Sequence, residues 1–380
     1  MTRFLVPALL CACTTPKISE TPGEGSSALL SDPDLSEFIT ERMGAARVPG
    51  LSAAIIRDGE VQAVGAWGLA NVEEDRPVDT DTLFNLASVS KTFIAVAVMM
   101  AVEDGALDLD EDVSTWLPFD VEHPYSSKAI TLRMLMTHTS GISDNWDVLE
   151  DLYVEGDSPI GLGEFLEGYL VRGGEYYDPD WNFDADPGEA ADYSNVGASL
   201  AAYVVEAATG TPFDTYCERH IFAPLGMDDA GWHLSDLDTD QIAMPYGWVG
   251  GAWEPYGFYG YPDYPDGNLR TTAPQLGRFL AAITAGGTLD GERLLKASSV
   301  ASLLTSQVPD LEDLQGLMWY GWQLGDDEVW GHNGGDDGVA TEILFRPTDG
   351  AGVVLLMNGD ADRWGPVEDI EMELLDLALR

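Results

Sequence analysis

The stretch SVSKTFIAVAVMMAVE, residues 88–103, contains no Gly or Pro and is strongly apolar. These properties predict a buried α-helix, and Gly105 follows where a helix commonly ends. A helix that is apolar on all sides needs a large core around it. The chain has 380 residues, which is enough for such a core and for two lobes that share one interface.

Ser88 and Lys91 stand three residues apart at the start of this helix. Residues at that spacing share one helix face, so the Lys91 amine can reach the Ser88 hydroxyl. Burial disfavours a charged lysine, so we expect Lys91 to resist protonation and to help take the serine proton. The helix N-terminus would also favour negative charge developing at Ser88. In the alternative, Ser88 caps a helix and Lys91 is a surface residue, but the apolar run that follows argues against it.

Strand patterns occur at both ends of the chain, with helical patterns between them. A first helix at about 32–46, with Ser31 as its N-cap, precedes two β-rich runs that Asp58-Gly59 joins as a hairpin. Further helices are predicted at 160–171, 195–209, 212–222, 273–285 and 367–379, and strands at 51–56, 61–67, 318–324, 328–332, 339–346 and 351–357.

This order of elements predicts an α+β fold. A mixed lobe would be built from residues 31–87 and 290–380, and a mainly helical lobe, residues 88–289, would be inserted into it. The aromatic cluster between Trp248 and Tyr264 is expected to pack over the helical lobe, with a substrate-cleft lining as the alternative.

A second candidate motif is Tyr193-Ser194-Asn195, directly before a predicted helix. Beside a Ser–Lys pair a phenol can relay protons, and an Asn amide can hold a substrate carbonyl or amide. The alternative is a helix start capped by Ser194 or Asn195, with Tyr193 in the core.

A third candidate motif, GHNGG, occupies residues 331–335 at the end of a β-like run. The small residues Gly334 and Gly335 would let substrate approach the strand edge closely. The Gly335 backbone N–H would complete an oxyanion hole with that of Ser88. The alternative is a hairpin turn, which Asn-Gly favours.

In this order the motifs resemble those of the serine β-lactamase-like, penicillin-recognising hydrolases. The most similar branch holds class C β-lactamases, D-alanyl-D-alanine carboxypeptidases, esterases and D-aminopeptidases. That family carries S-x-x-K, Y-x-N and K/H-x-G, which stand here as SVSK (88–91), YSN (193–195) and HNG (332–334). The stretches GALDLD (105–110) and LMTHTSG (135–141) are also similar, and the resemblance covers residues 32 to 379.

The resemblance implies a β-lactamase/transpeptidase-like fold, with an antiparallel sheet flanked by the N- and C-terminal helices. It implies that Ser88 is the acyl-enzyme nucleophile, Lys91 its activating partner and Tyr193 a proton relay. Asn195 would contact substrate, and His332 would join the proton network or face a carboxylate. No metal ion or organic cofactor is implied.

The third motif departs from the Lys form of the pattern, because it begins with His332. An imidazole is mostly neutral at pH 7, so it attracts a substrate carboxylate less than a lysine would. Asp336 and Asp337 follow and would repel that carboxylate further. Both features argue against an efficient β-lactamase and leave a peptidase or an esterase open.

The chain is very acidic, with 66 Asp and Glu against 18 Lys and Arg and a formal net charge of -48. Such a surface repels phosphate backbones, so nucleic acid is excluded as a partner. We interpret it as a solvated surface suited to a salty medium. Asp108, Asp110 and Asp112 alternate as in a calcium loop, but Val113 stands where that loop needs Gly. The five His residues lack zinc-site spacing, so no metal is predicted.

Residues 1–12 predict a signal peptide that is too short to span a bilayer. Their end, LCAC (10–13), resembles a bacterial lipobox, which makes Cys13 the lipidation site, followed by a flexible tether over 13–30. The alternatives are an ordinary cleaved signal or a misassigned start codon. An extracytoplasmic protein is therefore predicted, either a cell-envelope lipoprotein or a secreted or periplasmic one. A membrane would be a partner only through the lipid.

Together these features predict a serine hydrolase that acts through an acyl-enzyme on an amide or ester, with a small molecule or peptide as substrate. One alternative is a D-alanyl-D-alanine carboxypeptidase acting on peptidoglycan stems. An alternative of another class is a catalytically silent envelope binding protein. The loops that choose between peptide, ester and lactam cannot be identified from the sequence.

Overall fold

The computed structural model describes residues 23–361 and 363–379, and the predicted signal peptide (1–12) and Cys13 lie outside them. Its centre is a seven-stranded antiparallel sheet. In chain order the strands are β1 (Gly50–Arg57), β2 (Glu60–Asn71), β3 (Arg76–Pro77), β4 (Tyr320–Leu324), β5 (Asp327–Asp336), β6 (Val339–Phe345) and β7 (Gly352–Met357). Their spatial order is β4-β5-β6-β7-β1-β2-β3, so strands from the two ends of the chain join at the β7–β1 pair.

Helices cover both faces of the sheet, which confirms the predicted α+β fold. They are α1 (Pro33–Ala46), α2 (Lys91–Glu103), α3 (Leu132–Met136), α4 (Trp146–Leu149), α5 (Leu162–Leu170), α6 (Asn195–Thr209), α7 (Phe213–Cys217), α8 (Ala223–Leu225), α9 (Ala273–Thr284), α10 (Ala297–Leu303) and α11 (Glu368–Ala378). The terminal helices α1 and α11 pack on one face, and α9 packs on the other against β1, β2 and β7. Within the described residues, no helix is both long and apolar enough to cross a bilayer.

The β1–β2 hairpin has the turn that its sequence predicts. Asp58 and Gly59 have φ angles of 54° and 72°, the left-handed conformation that a two-residue type I′ turn requires at both positions. The two strands then pair from Arg57↔Glu60 outward.

The N-cap prediction for α1 is wrong by one residue. Asp32 takes that position, because its side chain accepts hydrogen bonds from the Asp34 and Leu35 N–H groups at 3.0 and 3.2 Å. The Ser31 hydroxyl donates instead to the Ser27 carbonyl at 2.9 Å.

Part of the segment that was predicted as a tether packs against the sheet. The Gly23 N–H donates to the Ala66 carbonyl at 2.6 Å, and the Ser27 N–H donates to the Val64 carbonyl at 2.7 Å. Residues 23–30 therefore run beside β2.

The helix predicted at 212–222 is not continuous. α7 runs into a wide π-turn over Glu218–Phe222 before α8 begins. Pro224 explains the change, because it has no N–H for an α-helical hydrogen bond to the carbonyl four residues earlier.

Strand β5 is longer than predicted, and this decides the structure of the GHNGG motif. All five residues lie inside β5 and pair with β6, from Gly331↔Leu344 to Gly335↔Ala340. The hairpin-turn alternative is wrong, since the chain reverses at Asp337 and Gly338, where Gly338 has a φ of 70°.

Candidate active site

A strained turn presents Ser88. The predicted helix at 88–103 begins as a 3-10 turn, Ala87–Ser90, and becomes α-helical at Lys91. Ala87 has a φ of 44°, which is costly for a residue with a Cβ. The Asn85 side chain fixes this turn by accepting the Ala87 N–H at 2.9 Å, and the Leu86 N–H donates to the Leu269 carbonyl at 2.8 Å.

Lys91 is fully buried, and its amine donates hydrogen bonds to three acceptors. Its Nζ donates to Ser88 Oγ at 3.0 Å, to Asn195 Oδ1 at 2.7 Å and to the Asp266 carbonyl oxygen at 2.9 Å. The second carboxylate oxygen of Asp266 lies 3.4 Å away. An ammonium has three protons, so this arrangement satisfies the charged form of Lys91 completely.

The expectation that Lys91 resists protonation is wrong. Burial does lower its pKa, but attraction from the Tyr193 oxygen and from the carboxylates of Asp266 and Asp144 outweighs burial. The net result is a Lys91 pKa above its usual value, so the resting protein holds an ammonium ion beside Ser88.

Tyr193 lies over this ammonium and is 44 % exposed, so the alternative that places Tyr193 in the core is wrong. Its ring centre is 5.0 Å from Lys91 Nζ and 4.4 Å from the His138 ring centre. Ser194, the next residue, caps α6 as predicted, because its Oγ accepts the Gly197 N–H at 2.8 Å. This cap fixes Tyr193 two residues before the helix and Asn195 at its first position.

His138 supports the tyrosine from behind. It is buried, and its Nδ1 accepts the Ser194 N–H at 3.2 Å. Burial, together with the positive charge of Lys91, lowers the pKa of His138 to about 3. His138 is therefore a neutral, fixed wall for the Tyr193 ring.

Asp144 is a site residue that the sequence analysis missed. Its carboxylate accepts hydrogen bonds from the Ser194 hydroxyl at 3.0 Å and from the Asn195 and Val196 N–H groups at 2.9 and 3.2 Å. It thus joins the loop between α3 and α4 to the start of α6. Burial raises the pKa of Asp144, and the three donors oppose that shift.

We expect Asp144→Ala to lower the free energy of unfolding by about 2 kcal/mol, because it leaves two backbone N–H groups and one hydroxyl without their acceptor. Urea unfolding followed by tryptophan fluorescence measures this loss. Asp147→Ala is the matched control, since Asp147 is exposed three residues further along. Equal stability of the two variants would contradict the anchoring role of Asp144.

Gly334 lies where β5 meets the Ser88 turn, Ala87–Ser90. A Cβ there would lie 2.4 Å from both the Leu86 carbonyl oxygen and Thr341 Oγ1, and 3.0 Å from the Ser88 nitrogen. Only glycine allows this close approach. Gly335 differs, because a Cβ there would meet nothing within 4 Å.

His332 lies on β5 as well, and it is buried. Its Nδ1 is 2.5 Å from the Asn333 carbonyl oxygen, and its ring centre is 5.1 Å from that of Tyr320 and 6.3 Å from that of Tyr193. It lines neither of the two cavities beside Ser88, whereas Asn333 lines one of them.

Two cavities meet at Ser88 and Gly335. The first has a volume of about 500 Å³, and its lining includes Tyr193, His138, Tyr320 and Asn333. The second has a volume of about 530 Å³, and its lining carries Asn195, three aromatic side chains and four carboxylates, namely Trp146, Tyr153, Tyr261, Glu150, Asp266, Asp336 and Asp337. A substrate with its reacting carbon at Ser88 would extend one part into each cavity.

Asp266 and Tyr153 belong to this site but lie in no recognised motif. Burial raises the pKa of Asp266, and the nearby Lys91 opposes the shift. The predicted aromatic cluster divides: Tyr261 lines the second cavity, whereas Trp248 and Trp253 pack on each other with ring centres 5.5 Å apart.

Asp110, the middle residue of the calcium-like alternation, has another partner. Its carboxylate binds the Arg133 guanidinium through two contacts of 2.6 and 2.8 Å. Over residues 23–361 and 363–379, no group of three His, Cys, Asp or Glu side chains is arranged to hold a metal ion.

Comparisons with known proteins agree with this geometry. The family model described as Beta-lactamase matches residues 35–375. Penicillin-binding protein 4 of Amycolatopsis lactamdurans is 29% identical over 334 residues, which cover 82% of this chain and 81% of that protein. Esterase EstB of Burkholderia gladioli is 34% identical over 214 residues, which cover 53% of this chain and 50% of the esterase.

A solved structure extends the likeness to the whole fold. The octameric penicillin-binding protein homologue from Pyrococcus abyssi superposes with a TM-score of 0.72 at 26% identity, covering 91% of this chain and 77% of that one. Because the family model spans nearly all of the described fold, including the Ser88, Tyr193 and Gly334 motifs, the chain belongs to the Beta-lactamase family and is a serine hydrolase.

Proposed function

We propose that the protein cleaves an amide or ester by forming an acyl-enzyme on Ser88. One observation carries the proposal: the buried Lys91 donates a hydrogen bond to Ser88 Oγ at 3.0 Å, directly under Tyr193. A serine becomes a nucleophile when a proton acceptor and a charged group lie close to its hydroxyl. Here Lys91 contacts the Ser88 hydroxyl, and Tyr193 lies beside Lys91.

The raised pKa of Lys91 divides the roles between these side chains. An ammonium cannot accept the serine proton, so we assign that step to the Tyr193 oxygen, where the Lys91 ammonium would stabilise the negative charge that develops during proton transfer. Ser88 Oγ then bonds to the substrate carbonyl carbon. Tyr193 passes the proton to the departing amine or alcohol as its bond to carbon breaks. A water molecule reverses the sequence and releases the acid.

The carbonyl oxygen becomes negatively charged during both steps. We assign its stabilisation to the backbone N–H groups of Ser88 and Gly335. Gly334 supports the assignment, because its missing side chain lets β5 lie against the Ser88 nitrogen. We assign Asn195, which lines the second cavity and is held by Lys91, to the acyl part of the substrate.

A D-alanyl-D-alanine carboxypeptidase remains the narrower alternative, but the first cavity favours it little. A peptide C-terminus needs a cation opposite its carboxylate. Asp192 and Glu312 line this cavity, and its described lining includes neither Arg nor Lys. The hydrogen bond from Lys91 to the Ser88 hydroxyl argues against a catalytically silent binding protein.

We expect a fluorophosphonate probe to label Ser88 with one adduct per chain. Peptide mapping by mass spectrometry locates the adduct, Ser88→Ala should remove it, and the exposed Ser298→Ala should keep it. An unlabelled Ser88 under conditions that label other serine hydrolases would refute the proposed function.

The same preparation decides the substrate class. Turnover of p-nitrophenyl esters, nitrocefin and a D-Ala-D-Ala peptide can be compared directly, and we expect the esters to be cleaved fastest. We retain the cell envelope as the proposed location, either with a lipid on Cys13 or in secreted or periplasmic form, and a small molecule or peptide as the proposed partner.

A further inference from the structure

The two cavities at Ser88 have different chemical roles. The proton donor to the leaving group has to lie beside that group, and Tyr193 lines only the first cavity. Asn195 lines only the second cavity. If the mechanism proposed above holds, the first cavity receives the leaving group and the second, called here the acyl cavity, receives the acyl group.

The acyl cavity contains carboxylates that are held in place. Asp336 accepts hydrogen bonds from the Tyr153 and Tyr261 hydroxyls, both at 3.2 Å, and from the Asp337 N–H at 2.8 Å. Solvated surface acids lack such a set of donors. Asp336 lies on β5 one residue after Gly335, so its carboxylate has a fixed position close to the reacting carbon.

Asp266, which also lines the acyl cavity, provides an independent observation. Its side chain is only 5 % exposed, and its Oδ1 has no hydrogen-bond partner within the described part of the chain. A buried carboxylate oxygen without a donor is costly. A ligand that brings N–H donors into the acyl cavity would supply what this oxygen lacks.

The remaining walls also suit a cation. Trp146, Tyr153 and Tyr261 add three aromatic rings to the lining, and Trp146 is 50 % exposed. The faces of aromatic rings attract ammonium groups. Glu150 and Asp337 add two exposed carboxylates at the mouth. Asp266 is paired with Lys91 through its other oxygen. The described lining of the cavity includes neither Arg nor Lys, so Glu150, Asp336 and Asp337 have no cation there.

We propose that the acyl cavity recognises a substrate whose acyl group carries a protonated amine, such as an amino-acyl ester or amide with a free amino group. The ammonium would lie between Asp336 and Asp266, and Glu150 and Asp337 would attract it to the mouth of the cavity. This proposal rests on the proposed acyl-enzyme function and names the substrate class for it.

Glycine ethyl ester and ethyl propionate test the proposal, because they differ only by an ammonium in place of a methyl group. The readout is the kcat/KM for glycine ethyl ester divided by the kcat/KM for ethyl propionate at pH 6.5. Both values are measured by ethanol release. In the native protein this ratio includes the intrinsic reactivity of the two esters, so the informative quantity is its change in a variant.

We expect Asp336→Asn to lower this ratio by about tenfold or more, as loss of a close charge pair predicts. Asp337→Asn, at an exposed position, should lower it by a smaller factor without threatening the fold. Asp120→Asn is the control: it makes the same change in charge at an exposed position outside both cavities, and it should leave the ratio unchanged.

Three outcomes would overturn the proposal, and they are distinguishable. If both cavity variants keep the native ratio while ethyl propionate is hydrolysed through Ser88, the ammonium site is absent and the serine hydrolase stands. If Asp120→Asn lowers the ratio equally, the general acidity of the protein accounts for the preference. If neither ester is hydrolysed and Ser88 takes no probe, the proposed function fails together with the substrate class.

Discussion

Lys91→Met is expected to lower kcat/KM toward p-nitrophenyl acetate by about 10³-fold, because it removes the cation that stabilises charge on Tyr193 during proton transfer. Methionine preserves the length and apolar stem of the side chain. It leaves Asn195 Oδ1 and the Asp266 carbonyl without their donor. Activity within tenfold of the native protein would show that Lys91 has no part in the proton transfer.

The same variant should lose stability by about 3 kcal/mol, since one partner of a buried ion pair is gone. The sign of its pH dependence follows from the raised pKa of Lys91. A raised lysine pKa stabilises the fold fully below the unfolded-state pKa of about 10.4, and this contribution disappears as the pH rises through the folded-state value. The contribution of Lys91 itself to the stability gap should therefore be constant near neutral pH and disappear only in strong base. Lys128→Met, at an exposed ion pair, is the matched control and should show neither effect.

Gly334→Ala is expected to cost about 100-fold in kcat and about 2 kcal/mol of unfolding free energy. The new Cβ would lie 2.4 Å from both the Leu86 carbonyl oxygen and Thr341 Oγ1, so β5 and the Ser88 turn have to move apart. A displacement of about 1 Å at a reacting group is enough for a loss of this size. Steady-state kinetics and urea unfolding measure the two effects.

Gly335→Ala is the control for the stability part of that prediction. It adds the same methyl group one residue further along β5, into open space. Its unfolding free energy should stay within about 0.5 kcal/mol of the native value. Equal destabilisation by the two changes would mean that the close approach at Gly334 is not what excludes a side chain there.

Local patterns predicted most of the fold, because helix and strand periods and turn residues are local properties. The apolar run at 88–103 became a buried helix, and Asp58-Gly59 became the predicted turn. The start of that helix could not be predicted, because the 3-10 turn at Ala87 depends on its contacts with Asn85 and on the pairing of Leu86 with Leu269.

The candidate site was predicted only where it follows a motif. Ser88, Lys91 and Tyr193 converge as their order indicated. Asp144 and Asp266 come from loops with no pattern of their own, and only the tertiary fold brings them to Lys91. Together with the attraction from Tyr193, these two carboxylates raise the pKa of Lys91, which explains why its protonation state was predicted wrongly. An apolar helix indicates burial, but it does not reveal which acceptors face the amine.

The join between β1 and β7 governs how the chain can fold. Leu51 pairs with Met357, so the middle of the sheet closes only when nearly the whole chain has left the ribosome. Contacts so distant in sequence carry a large loop-closure entropy and slow folding. Until then β1 has one open edge, so an unfinished chain is expected to be prone to aggregation and to depend on chaperones. A chain that stops before residue 352 would lose the strand joining the two halves of the sheet, and with it the support for the Ser88 turn.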